Sequence, residues 1–211
     1  MKRMIILAAS AAALCLVSCG RNSAGQTETT GDTCNAVIEA IMNRRSIRMY
    51  KDMPVEREKL QLIAECGVNA PNAVNSQPWE LRIVDDTDMI DAISDSYRQD
   101  NPEAVGRDPD FKNMFRNAPA VIFIAVPEGE TGLNAGLLGE NICLSAYSLG
   151  LGTVCLGGPV AYLKNSEAGK AFLERLDFSD GYELLYMIGV GYPDESPEAR
   201  PRDLSKIRFV E

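Results

Sequence analysis

The chain has no histidine. That removes the commonest general base and the commonest metal ligand together, and a Ser-His-Asp or Cys-His site cannot be built within it. Zinc is not indicated either, because Cys34, Cys66, Cys143 and Cys155 lie far apart in sequence and form no C-x-x-C pair. Positive charge is in deficit: 21 Lys and Arg against 30 Asp and Glu give a net charge of −9. Nucleic acid is thereby disfavoured, since phosphate backbones require a basic face; a local basic pocket for one small anion is not. The glycines form no G-x-G-x-x-G between a strand and a helix, so the dinucleotide fingerprint is missing. No internal repeat is present, and 211 residues suffice for one domain with a sizeable core.

What is there begins with "MKRMIILAASAAALCLVSCG". Lys2 and Arg3 precede an apolar run from Met4 to Val17, shorter than the roughly 20 residues a membrane-spanning helix needs, so it reads as the apolar region of a signal peptide. Leu16-Val17-Ser18-Cys19-Gly20 resembles the bacterial lipoprotein signal, which implies lipidation of Cys19. Residues 1–18 are then a signal peptide, and 19–33, rich in Gly, Ser and Thr, a flexible tether. The folded domain is 34–211. The expected address is the bacterial cell envelope, lipid-anchored and facing the periplasm or the cell surface.

Within the domain, 34–44 reads as a helix with Val37, Ile38, Ile41 and Met42 on one stripe. Pro54 opens a second helix through Ala70. The segment 69–78, "NAPNAVNSQP", is a loop and "WELRIVD" a strand; 87–97 is helical. Residues 98–117 are polar and weakly periodic, a lid or irregular helices. "APAVIFIAV" is a strand buried on both faces, and Leu133–Leu149 a long helix whose small residues permit close packing. "GLGTVCLGGP" is a short strand entering a glycine loop, 166–176 a helix, "YELLYMIGVGYP" a buried strand, and the tail ends in strand-like "IRFVE". The class is α+β around a central sheet. The four domain cysteines could pair outside the cytoplasm, or they are buried as small hydrophobes; the sequence leaves both open.

Three segments carry chemistry. "RRSIRMY" places Arg44, Arg45 and Arg48 within five positions; they complement the negative end of the preceding helix, or, with Ser46, Arg200 and Arg202, clamp a phosphate through charge-assisted bonds. "APNAVNSQPW" presents Asn72, Asn75 and Gln77, either as donors and acceptors for the edge of a heterocycle or as amides capping their own turn. "CLGGP" lets backbone approach a ligand closely, or is a plain turn.

In order and spacing, "RRSIRMY", "APNAVNSQPW", "AGLLGENICLSAYSLGLGTVCLGG" and "IGVGYP…RPR" resemble the nitroreductase family of FMN flavoproteins over roughly residues 35–211. The resemblance implies a central, mostly antiparallel sheet flanked by helices in an intertwined homodimer, with FMN at the interface. It implies that Arg44 and Ser46 hold the FMN phosphate with Arg200 and Arg202, that Arg45 lines the same site, and that Arg48 faces the flavin. Pro71, Asn72, Ala73 and Asn75 reach FMN from the partner subunit. Leu156, Gly157 and Gly158 flank the ring, the Gly157 N–H facing flavin N5. The family often has Gly where Val74 stands and Ser where Asn72 stands. The implied activity is ping-pong hydride transfer from an NAD(P)H-type donor to a nitroaromatic, quinone or similar flat acceptor, with the chemistry carried by the cofactor. Two alternatives stay open: reductive dehalogenation of halotyrosine-like substrates, with Tyr97, Glu103 and Lys112 in the lid region, and a non-catalytic tethered flavin-binding protein.

Overall fold

The computed structural model describes residues 35–210. The signal peptide, the tether, Cys19 and Cys34 lie outside the described residues. Among those described, no helix is long and apolar enough to cross a membrane.

Four strands form one sheet: β1 (Glu80–Val84), β2 (Ala120–Pro127), β3 (Gly152–Leu156) and β4 (Tyr182–Gly191), in the order β1-β2-β4-β3. Every pairing between them is antiparallel. β2 and β4 hold the centre, and the seven residues of β2 from Ala120 to Val126 are all buried. Their side chains alternate between two cores, as the two-residue period of a strand requires. Ile122 and Ile124 pack with Leu60, Ile63, Leu138 and Ile142 from α2 (Arg57–Val68) and α5 (Leu133–Ser148). Val121 and Phe123 face the opposite core, with Ile90 and Ile93 from α3 (Thr87–Asp100) and Phe172 from the helix 167–176. Phe123 sits edge-on to Phe115 at 5.6 Å between ring centres and tilted to Phe172 at 5.4 Å. The sheet is therefore covered on both faces, which explains the continuous apolar run of β2.

α1 (Ala36–Asn43) starts where Asn35 accepts the N–H of Val37 at 2.9 Å. Its apolar stripe, Val37, Ile38, Ile41 and Met42, is exposed on the single chain. α2 begins at Arg57, not at Pro54; Val55 is drawn into the core first, and Glu56 is engaged by the Tyr192 hydroxyl at 2.6 Å and by Lys59 at 3.1 Å. Those bonds, the Tyr192 one foremost, hold the Glu56 carboxyl down at about 2. The 98–117 segment contains one short helix, α4 (Pro102–Val105), and then turns. After β3 a helix absent from the sequence reading, α6 (Pro159–Asn165), opens on Pro159. α7 (Glu167–Leu176) follows, capped by Ser166 accepting the Gly169 N–H at 2.9 Å. The expected strand in "IRFVE" is not formed in the described residues: a 3-10 turn spans Leu204–Lys206, and Ile207–Val210 follow as unpaired, exposed chain.

Candidate active site

The arginine segment is laid along the sheet by its own backbone. α1 stops at Arg44, and the chain then runs beside β3: Ser46 bridges Thr153 in parallel, and the Ile47 N–H donates to the Thr153 carbonyl at 2.9 Å. Further on, Tyr50 bridges Pro193, and the Lys51 N–H donates to the Tyr192 carbonyl at 2.9 Å. The Glu195 carboxylate accepts the Met49 N–H at 3.0 Å and also the Arg48 N–H. Buried Tyr50 donates its hydroxyl to the Ile47 carbonyl at 2.6 Å. Burial, with the Glu195 charge beside it, raises the phenol above its ordinary range, so it stays a neutral donor. Close approach of the segment needs Gly152: a Cβ there would stand 2.7 Å from Ile47 Cγ1 and 2.8 Å from Ile47 Cβ.

The three arginines separate in role. Arg45 Nη1 donates to the carbonyls of Met42 and Arg44, each at 2.8 Å, which is the helix-end interaction. Arg44 makes a two-pronged pair with Glu140 of α5, at 3.0 and 2.8 Å. This occupies Nε and one Nη2 hydrogen, and leaves the remaining guanidinium donors for a ligand. Arg48 reaches a cavity of about 590 Å³. The same cavity is lined by Cys155, Leu156, Gly157 and Gly158, and by Tyr97, Arg107, Phe111 and Arg116. Cβ atoms built on Gly157 and Gly158 meet nothing within 4 Å, so bare backbone faces open space there. Arg48, Arg107 and Arg116 line it against one acid, Asp108, which pairs with Arg116 at 3.7 Å, so the lining carries a net positive charge that suits an anion. A neighbouring cavity of about 680 Å³ is lined by Asp52, Asp85, Asp91 and Asp95 against Lys51, Arg98 and Lys112, a slightly acidic set that does not favour one.

The sequence-derived residues are thus partly united. Arg48, Leu156, Gly157 and Gly158 share the cavity, with Arg44, Arg45 and Ser46 on the adjoining segment. Asn72 closes its own turn: its amide donates to the Ala70 carbonyl at 3.2 Å and its oxygen accepts the Gln77 N–H at 2.8 Å. Pro71, Ala73 and Asn75 belong to the same loop, none of it lining this cavity. Val74 there has a φ of 48° and is 97% exposed, a left-handed conformation that glycine adopts without cost and a β-branched residue does not. Arg200 and Arg202 lie on the exposed C-terminal segment, where Arg202 donates to the Arg200 carbonyl at 3.0 Å; no described hydrogen bond or ion pair links them to Arg44–Arg48. Of the lid candidates only Tyr97 lines the cavity; Glu103 pairs with Arg107 at 3.9 Å and Lys112 lines the acidic neighbour. Sequence reasoning missed Arg107, Arg116 and Glu140. Arg107 sits in the turn after α4 that the Asp108 N–H closes on the Val105 carbonyl at 3.0 Å, and Arg116 beside Asn117, whose side chain accepts the Lys112 and Asn113 N–H groups at 2.8 and 3.2 Å, an aperiodic arrangement with no sequence signal.

These features define an α+β ligand-binding protein with an arginine-lined, backbone-walled cavity at the margin of its sheet. Residues 41–192 match the Nitroreductase family, and the chain belongs to that family. It is 28% identical over 168 residues to an Archaeoglobus fulgidus protein named for NADH dehydrogenase and NAD(P)H nitroreductase, covering 76% of this chain and 87% of that one. It is 28% identical over 174 residues to the NADPH-flavin oxidoreductase of Vibrio harveyi, covering 80% and 70% respectively. Among solved structures it is similar to an FMN-dependent nitroreductase of Clostridium difficile, with a TM-score of 0.66 and 25% identity over 83% of this chain and 99% of that one. The fold also matches a nitroreductase with bound FMN from Desulfitobacterium hafniense, with a TM-score of 0.73 and 24% identity over 84% of this chain and 99% of that one.

Proposed function

We propose that the chain is an FMN-dependent oxidoreductase that reduces a nitroaromatic, quinone or similar flat acceptor with electrons from an NAD(P)H-type donor. The observation that carries this is the meeting of Arg48 with the bare Gly157–Gly158 backbone on one cavity of about 590 Å³. FMN and NAD(P)H stand in the names of relatives. When bound, FMN supplies two-electron hydride chemistry, which asks no side-chain nucleophile of the protein. Arg48 would bring a positive charge beside the bound flavin. Gly157 and Gly158 admit a flat group against the backbone without a Cβ in the way. Ser46 and the free donors of Arg44 would hold a phosphate, and Tyr97 and Phe111, stacked at 6.2 Å, close the far side against water.

The same reading includes a homodimer. The exposed stripe of α1 and the apolar tail have no cover within the described chain; the loop Pro71–Asn75 would complete the site from a second copy, and Arg200 and Arg202 would join Arg44 and Ser46 at the phosphate. It also includes a lipid anchor at Cys19, which places the enzyme in the cell envelope. Cys19→Ala is expected to move the chain from the membrane fraction to the soluble fraction; unchanged membrane association would count against the anchor.

The cofactor is tested by incubating the purified chain with FMN, desalting, and recording the absorption spectrum. Wild type is expected to keep its flavin band. Arg48→Ala should lose affinity by about tenfold to a hundredfold, the worth of a charge-assisted bond of about 1.5–3 kcal/mol. Arg57→Ala should match wild type, since neither Arg57 nor its partner Asp85 lines this cavity. A wild type that retains no flavin would leave the fold standing and remove the oxidoreductase reading.

A further inference from the structure

Cys143 and Cys155 were separate features of the sequence, but the fold puts them face to face. Cys143 is buried on α5 and Cys155 is exposed on β3, with their Sγ atoms 4.0 Å apart. Glu140, one turn before Cys143, ties down Arg44, so a guanidinium stands beside the thiol pair. Cys155 also lines the arginine cavity, which gives a small molecule a way in. The third described thiol, Cys66, lies on α2, half-buried.

We propose that Cys143 and Cys155 form a thiol–disulfide exchange site that takes a small-molecule disulfide as its oxidant. Cys155, as thiolate, attacks one sulfur of the disulfide; a new S–S bond forms and the other half leaves as a thiolate that takes up a proton. Cys143 then gives up its proton and attacks the Cys155 sulfur, expelling the second half. Two protein thiols become one disulfide, and one small disulfide becomes two thiols. Closure brings the sulfurs from 4.0 Å to about 2.05 Å. The roles follow from the surroundings. The Cys143 thiol donates to Cys155 and lowers it to about 7, helped by the Arg44 charge, whereas that same pairing and burial push Cys143 up. The exposed sulfur is the nucleophile and the buried one resolves.

The test is to equilibrate the purified chain with oxidised glutathione, block remaining thiols with iodoacetamide, cleave with chymotrypsin and map the peptides by mass. Cleavage after Tyr147 separates the two cysteines unless they are bonded. The expected product is one linked fragment pair, released by dithiothreitol, with Cys66 alkylated. In Cys143→Ala, Cys155 should hold glutathione as a mixed disulfide; in Cys155→Ala, Cys143 should stay a free thiol. The pH midpoint for alkylation of Cys155 should lie near 7 and rise in Cys143→Ala, which removes the largest cause of its lowering. Full alkylation of both residues after equilibration, or a bond from Cys155 to Cys66, overturns the proposal. The wild-type map decides by itself, so a variant that misfolds does not weaken the test. No flavin is needed, so the outcome is separable from the oxidoreductase reading.

Discussion

Gly152→Ala is expected to destabilise the protein by about 1–3 kcal/mol, the usual cost of overpacking, and to weaken FMN retention at the same time. The added methyl would meet three atoms of Ile47, at 2.7, 2.8 and 3.0 Å. A long flexible side chain would swing aside. Ile47 is β-branched and stiff at χ1, and it is buried with Tyr50 and Ala118. The backbone must give instead, and the bond from the Ile47 N–H to the Thr153 carbonyl, 2.9 Å long, is the first to stretch. Lifting that bond lifts Ser46 and Arg48 from the cavity margin. Gly136→Ala in α5 is the control, since nothing lies within 4 Å of its Cβ position; as a helical glycine it should gain up to about 1 kcal/mol. Urea unfolding and flavin titration of both variants measure the contrast. Equal stability for the two would show that the segment yields at no cost.

Ending the chain at Pro201 is expected to give monomers that do not retain FMN. The removed segment exposes Leu204, Ile207, Phe209 and Val210, with Phe209 99% accessible on the single chain. Burying each such side chain against a partner is worth about 1.5–3 kcal/mol, so four together are a large fraction of any dimer's stability. The truncation also deletes Arg202, so Arg202→Ala in the full chain separates charge from packing: it should remain dimeric and bind FMN more weakly. A variant with the four apolar residues changed to serine should dissociate like the truncation. Sedimentation and absorption read both quantities. A flavin-loaded dimer from the chain ending at Pro201 would contradict the proposed arm.

The parts of the fold most legible in the sequence were those whose side-chain pattern is fixed by burial. β2 declared itself through an unbroken apolar run because both its faces are covered, and α5 through residues such as Ala135, Gly139 and Ala146, which are all buried in the structure. Legibility failed where one pattern serves two outcomes. Pro54 looks like a helix start, but Val55 enters the core in extended chain before the helix begins at Arg57. "IRFV" alternates as a strand would, yet alternation is only half of a strand; the other half is an edge to pair with. In the site, motif order marked the arginines and the glycines separately, and only the bridge between Ser46 and Thr153 brings them together. Nothing local in the sequence encodes that bridge. The same holds for Cys143 and Cys155, whose separation of 12 positions spans a helix end and a reversal into a strand.

The bonds that carry Arg48 and Met49 reach to Glu195, 147 and 146 positions away along the chain. Such contacts carry the full loop-closure cost of nearly the whole domain, so they form after the strands between them have paired. The cationic margin is accordingly expected to dock late in folding. It is held by a few backbone bonds and one small buried cluster, and is the first to open in the native state. Whatever binds there in the folded state also fastens the two distant stretches of chain to each other, so occupancy adds directly to the stability of the fold.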